Sequence, residues 1–148
     1  MGIFTALEVS GSAMSAERQR AEVVAANMAN AETTKTPEGG PFRRKQVVFS
    51  STPASTFRMM LANSNGDNAN LGTSSVRLTK VVEDTSDPIM RYEPSNPDAN
   101  SEGYVAYPNI NPVQEMADMM DAVRAYQLNA TAVNASKQIV TGALDILK

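Results

Sequence analysis

Cysteine, histidine and tryptophan are absent from the 148 residues, and the aromatic complement is four Phe and four Tyr. Without Cys there is no disulfide framework, thiolate nucleophile or sulfur-ligated zinc; without His there is no imidazole base, and nearly all structural zinc chemistry goes with the two. The scarcity of large side chains, beside abundant Ala, Asn, Ser, Thr and Met, leaves little apolar area for a thick core and favours helices packed closely through small residues. Thirteen basic against sixteen acidic residues give a net charge of −3, which weighs against nucleic acid or an anionic membrane as the general partner. No apolar run reaches the roughly 18 residues of a membrane-spanning helix. The first turns hold Glu8, Gly2, Gly11 and several hydroxyls in place of a basic segment and an apolar core, so no conventional secretory signal is expected.

What the chain does have is two helical ends. All eight prolines fall between 37 and 112, and five of the eight glycines between 39 and 103. That partition divides the chain into an N-terminal helix (1–31), a β-rich and loop-rich insert (32–111) and a C-terminal helix (112–148). Asn111 is placed as N-cap of the last helix, with Pro112 at its first position and Gln114 where a capping-box partner stands. Its apolar seam steps by alternate threes and fours through Met116, Met119, Val123, Tyr126, Ala130, Val133, Lys137, Val140, Leu144 and Leu147, the heptad period of a helix covered along one stripe. Only Lys137 breaks it. The first helix carries a weaker seam, Phe4, Leu7, Gly11, Met14, Arg18, Ala21, Ala25 and Met28, interrupted by Gly11 and Arg18. Both ends are expected to fray until something packs on them.

In the middle, strand patterns run over 42–49, 56–61, 76–83, 89–92 and 103–107. Residues 63–75 form a polar, low-complexity loop, and 93–100 a turn-rich segment that cannot be helical. The short basic run Arg43-Arg44-Lys45 reads more readily as a solvated strand face or a salt-bridging edge than as a phosphate site. Asn27 and Asn30, three apart, lie on one helix face; the simpler reading makes Asn30 a C-cap and Asn27 a solvated amide, the sharper one has both bonding a neighbour. Met116, Met119 and Met120 are either core filler or an adaptable surface for several partners. Carboxylates pair up in sequence at Asp84/Asp87 and Asp118/Asp121, with no base, metal-ligand set or phosphate loop beside them, so no catalytic residue, metal or cofactor is expected.

Ala26, Asn27, Asn30 and Ala31, preceded by Ser12, Met14 and Arg18, resemble the signature that closes the first helix of bacterial flagellar axial proteins, the rod and hook family. Asn111, Pro112, Val113, Glu115, Met116, Met120, Ala122, Arg124, Ala125, Tyr126 and Asn129 resemble its C-terminal half. Residues 40–49 and 92–105 narrow the resemblance to the proximal rod protein C branch, and only 63–75 falls outside it. The resemblance implies a mainly α fold with a small β insert of short antiparallel strands, its long terminal helices pairing as a coiled-coil-like bundle. It implies a structural subunit of the proximal rod, assembling into a tubular drive shaft that transmits torque, encloses the export channel and serves flagellum-dependent motility. The partners would be other rod proteins, the junction protein between the MS ring and the rod, copies of itself and the flagellar type III export apparatus. No nucleic acid or small-molecule substrate is implied. Location would be the periplasm-spanning rod of the basal body, reached without a cleaved signal peptide.

The interface residues expected on this basis are Phe4, Leu7, Met14, Arg18, Asn27, Met28, Asn30, Met116, Met119, Met120, Val123, Tyr126, Val133, Lys137, Val140, Leu144 and Leu147. Phe4 and Leu7 also resemble the Phe-led signals of early export substrates. Competing readings are a different rod component of the same family, a soluble coiled-coil adaptor or chaperone whose insert binds a client, and a small acidic hydrolase.

Overall fold

The computed structural model describes residues 3–52 and 75–146, with side chains over 5–51 and 75–145. The elements are α1 (Ile3–Ala29), β1 (Lys45–Thr52), β2 (Ser75–Glu83), β3 (Ile89–Tyr92), β4 (Tyr104–Tyr107) and α2 (Pro112–Ile146). The expected strand over 56–61, the loop 63–75 apart from Ser75, the side chain of Phe4, and Leu147 lie outside the described residues. Helices at both ends with short strands between them match the expected mainly helical fold with a β insert, and no helix among the described residues is long and apolar enough to cross a membrane.

The described residues fall into two compact units, one within 1–19, 49–79 and 123–148, the other within 20–48 and 80–122. Each draws on α1, the middle and α2. In the first, Ser12 Oγ donates to the Val9 carbonyl (2.8 Å) and accepts from the Val76 N–H (3.2 Å), tying α1 to β2. Ala16 is buried, and the Ser50 and Thr79 hydroxyls pair between β1 and β2. Along α2, Thr131, Ser136 and Thr141 return their hydroxyls to carbonyls one turn back, which keeps these polar groups satisfied without an outside partner.

The second unit buries Val24, Val105, Ile110 and Ala122. Asn111 caps α2 as its sequence position requires: its side-chain oxygen accepts the Val113 N–H (3.0 Å) and its carbonyl the Glu115 N–H (3.1 Å). Asn30 ends α1, its amide donating to the Ala26 carbonyl (2.9 Å) while its carbonyl accepts the Thr33 N–H. β1 starts at Lys45 instead of Phe42 because the Phe42 N–H is taken by the Thr33 carbonyl (3.0 Å), which holds 42–44 in the connection.

β3 and β4 pair antiparallel with Ile89 opposite Tyr107 and Tyr92 opposite Tyr104. Val105, opposite Arg91, points into the core; Tyr92 and Tyr104, on the other face, meet edge to face at 5.3 Å. The connecting turns are fixed by Asn100, whose side-chain oxygen accepts from the Glu102 and Tyr104 N–H groups, and by Gly103, which has φ 80°. A Cβ on Gly103 would stand 2.9 Å from the Tyr92 ring and 3.3 Å from Pro94 Cβ. Glu93 accepts from Asn96 Nδ2 (3.1 Å) and from the Tyr107 hydroxyl (2.9 Å), and those bonds, with the Arg91 charge, hold its carboxyl below the usual range. The same bond to Glu93 raises the Tyr107 phenol above its ordinary value.

Two outcomes follow for this hairpin. Gly103→Ala combines a positive φ with contact at Tyr92 and Pro94, and should cost about 1–3 kcal/mol in urea unfolding; an unchanged midpoint would show that the turn adjusts freely. Because the folded pKa of Glu93 is depressed, its contribution is complete above the ordinary glutamate value of about 4.3 and is lost as pH falls through the lower folded value. The near-ultraviolet dichroism of the Tyr92/Tyr104 pair should hold steady down to that point and decline below it. In Glu93→Gln that acid step should disappear.

Candidate functional site

The covered stripe of α2 is not the most apolar one. Glu115 and Ala122 are buried, and Asp118, Met119, Ala125, Asn129, Val133, Ser136 and Val140 half-buried, whereas Met116, Met120, Val123, Tyr126, Lys137 and Leu144 are exposed. The expected seam thus agrees at Met119, Ala130, Val133 and Val140 and departs at Met116, Val123, Tyr126, Lys137 and Leu144. The physical reason is that residues spaced by strict sevens drift about 20° per heptad around an ideal straight helix, so a seam read at period 3.5 cannot stay on one face. On α1 the buried positions are Ala16, Val24 and Asn27; the expected seam residues Leu7, Gly11, Met14, Ala21 and Met28 are half-buried, Arg18 and Ala25 exposed.

Covering a carboxylate requires a counter-charge, and the second unit supplies it. Glu115, 1% exposed, receives Arg44 Nε on Oε1 at 2.6 Å and Asn27 Nδ2 on Oε2 at 3.0 Å. Asn27, also 1% exposed, in addition donates to the Lys45 carbonyl (2.8 Å) and accepts the Lys45 N–H (2.9 Å), so its amide completes the end of β1 like one rung of a ladder. Arg44 Nη2 reaches Asp118 Oδ2 (3.3 Å), and Arg20 Nη2 lies 3.6 Å from Asp118 Oδ1. Two guanidinium groups and two carboxylates make the cluster neutral, and both oxygens of the buried carboxylate are bonded. Beside it Lys45 Nζ lies 3.9 Å from Glu83 and 5.7 Å above the Phe42 ring centroid. Asp84 is held below the usual carboxylate range by the Ser86 N–H and hydroxyl, with Arg44 and Arg43 adding to the effect.

This polar clasp joins α1, β1 and α2, and it corrects the sequence reading of the two asparagines. Asn27 is not solvated: all three hydrogen bonds of its amide close within its own chain; Asn30 is the C-cap of the simpler reading. The basic run is a salt-bridging edge. No spacing marks Glu115, Arg44, Asp118 and Arg20 as a group in the sequence: Glu115 stands at the start of the last helix, Arg44 in the basic run, Asp118 beside Asp121, and Arg20 carries no signal of its own.

The chain is similar to known proteins over both ends and over its full length. The family model described as flagella basal body rod protein matches residues 7–35, and that described as flagellar basal body rod FlgEFG protein C-terminal matches residues 101–145. The chain is 41% identical to the flagellar basal-body rod protein FlgC of Bacillus subtilis over 100% of both chains. The chain belongs to the FlgC family of flagellar basal-body rod proteins. It is 37% identical to FlgC of Borreliella burgdorferi, over 100% of this chain and 99% of that one, and 34% identical to FlgC of Escherichia coli O157:H7, over 99% and 98%. FlgC proteins are structural rod components, and this chain is a structural protein, not an enzyme. The clasp takes Asn27 from the first matched segment, Glu115 and Asp118 from the second, and Arg44 from the stretch between them.

The two asparagines should therefore behave differently. Asn27→Leu orphans the Lys45 backbone groups and one oxygen of Glu115, and should cost about 2–4 kcal/mol in chemical unfolding. Asn30→Leu alters a partly exposed helix end and should cost under about 1 kcal/mol. Equal midpoints for the two variants would show that the buried amide contributes nothing beyond its apolar replacement.

Proposed function

We propose how this chain, a structural subunit of the proximal flagellar rod, is built into that rod. Its two long helices pair in coiled-coil-like fashion with those of neighbouring subunits, and repetition of such head-to-tail contacts produces a tube that carries torque and encloses the export channel. The observation that carries this reading is the run of large apolar side chains left exposed on α2: Val113, 74% exposed, Met116, 53%, Met120, 54%, with Val123, Tyr126, Leu128, Ile139 and Leu144 beyond them. Val113, Met116 and Met120, at i, i+3 and i+7, stand on one side of the helix; an exposed apolar stripe of that kind marks an interaction site, and its methionines suit contact with non-identical neighbours.

The interface then consists of the exposed Arg18, Met116, Met120, Val123, Tyr126, Lys137 and Leu144, extended by the half-buried Leu7, Met14, Met28, Met119, Val133 and Val140 and by Phe4 and Leu147 at the two ends. Asn27 leaves the list, its amide being bonded within the chain, while Asn30, partly exposed at the end of α1, stays on it. Other rod proteins, the junction protein at the MS ring and further copies of this chain are the proposed neighbours, and the flagellar type III apparatus the proposed route of export.

Replacing Met116 and Met120 together by Asp tests the reading. Both side chains are exposed, so the stability of the isolated chain should change by no more than about 1 kcal/mol. In cells the variant should be produced at normal levels, while the yield of basal bodies with complete rods falls and swimming is lost. Normal rods and normal swimming would show that this face stays solvated in the assembly.

A further inference from the structure

We propose that the clasp selects the rotational phase of α2, deciding which of its two stripes the chain covers for itself. Near its N-terminal end α2 offers a poor stripe, Glu115 with Ala122, and a rich one, Met116 with Val123. Neighbouring residues differ by about 100° around a helix, so turning α2 by one position brings the rich stripe to where the poor one stands and carries the poor one outward. Apolar burial alone favours the rich stripe inward. The chain covers the poor one, leaving Val113, Met116 and Met120 outward.

Directional bonding accounts for the choice. The Glu115 carboxylate is satisfied only opposite Arg44 Nε and Asn27 Nδ2. Asn27 cannot follow α2 around, because its amide is anchored to both the N–H and the carbonyl of Lys45. A turned α2 would also carry Asp118 away from Arg20 and Arg44. A non-directional preference for burying methionine is thus overruled by a buried charge that fits one setting, as a single buried polar group sets register between paired helices. Resting on the assembly reading above, the consequence is that the rich stripe cannot be consumed inside the chain before a neighbouring subunit arrives.

The absence of native cysteine makes the phase directly readable. Single-cysteine reporters at Met116, exposed, and Ala122, 1% exposed, are labelled with a maleimide in the isolated full-length chain. The parent should label fast at 116 and slowly at 122. Glu115→Ala removes the group that demands the present setting, and Arg44→Met leaves that group buried without its counter-charge; both should turn α2. In each, labelling should slow at 116 and quicken at 122 by about tenfold or more. Unchanged rates in a helical variant overturn the proposal. Fast labelling at both positions also overturns it, since the clasp is then a requirement for folding and selects no phase. Failure of the assembly reading shows separately, as normal rods built from the Met116 and Met120 charge variant, and leaves the labelling result untouched.

Discussion

A carboxylate removed from water at the start of a long helix is the constraint on which the second unit depends. Taking such a charge out of solvent costs several kcal/mol unless geometry and hydrogen bonding restore what water supplied. Glu115 obtains both from residues far away in sequence: Arg44 lies 71 positions before it and Asn27 88 positions before it. Because Asn27 is bonded to the backbone of Lys45, the arrangement fixes three things at once: where α1 ends against the insert, where β1 begins, and which side of α2 is covered. Purely apolar neighbours would hold the same elements together less selectively, since apolar contacts tolerate sliding and rotation.

The β3/β4 hairpin obeys the same economy of local bonding. It is too short to be stable alone, and it rests on Val105 as its one fully covered side chain. The rest is turn chemistry: Asn96 and Asn100 cap backbone N–H groups, Gly103 takes a conformation closed to residues with a Cβ, and Glu93 binds Asn96 and Tyr107 across the loop. Thr34 adds a bond to Asp98 (2.7 Å), linking this loop to the segment that follows α1.

A chain with eight aromatic residues and many exposed Val, Leu, Ile and Met side chains on its last helix has put much of its apolar area on its surface. For a protein that ends as an isolated molecule this would be a liability. For a subunit of a rod it is the complement of an incomplete core. Charge and apolar area are accordingly divided: ionic, directional bonds organise the inside of the second unit, and large apolar side chains stand on the surface of α2.

Features set by local chemistry were legible in the sequence. The extents of α1 and α2, the Asn111 cap, the helix stop at Asn30, the β3 and β4 segments and the exclusion of thiol and imidazole chemistry follow from periodicity, proline and glycine placement and composition, none of which requires knowing what lies opposite. The motifs of the two helices likewise sufficed to point to the rod family, and residues 40–49 and 92–105 to its branch. Tertiary structure alone decided which stripe of each helix is covered and what the amide of Asn27 does. A heptad seam read from sequence carries a drift that only a partner surface resolves, which is why Met116 and Val123 are outside while Val133 and Val140 are half-covered. A buried carboxylate, for its part, cannot be told from a solvated one until the guanidinium that neutralises it is brought from the other side of the chain.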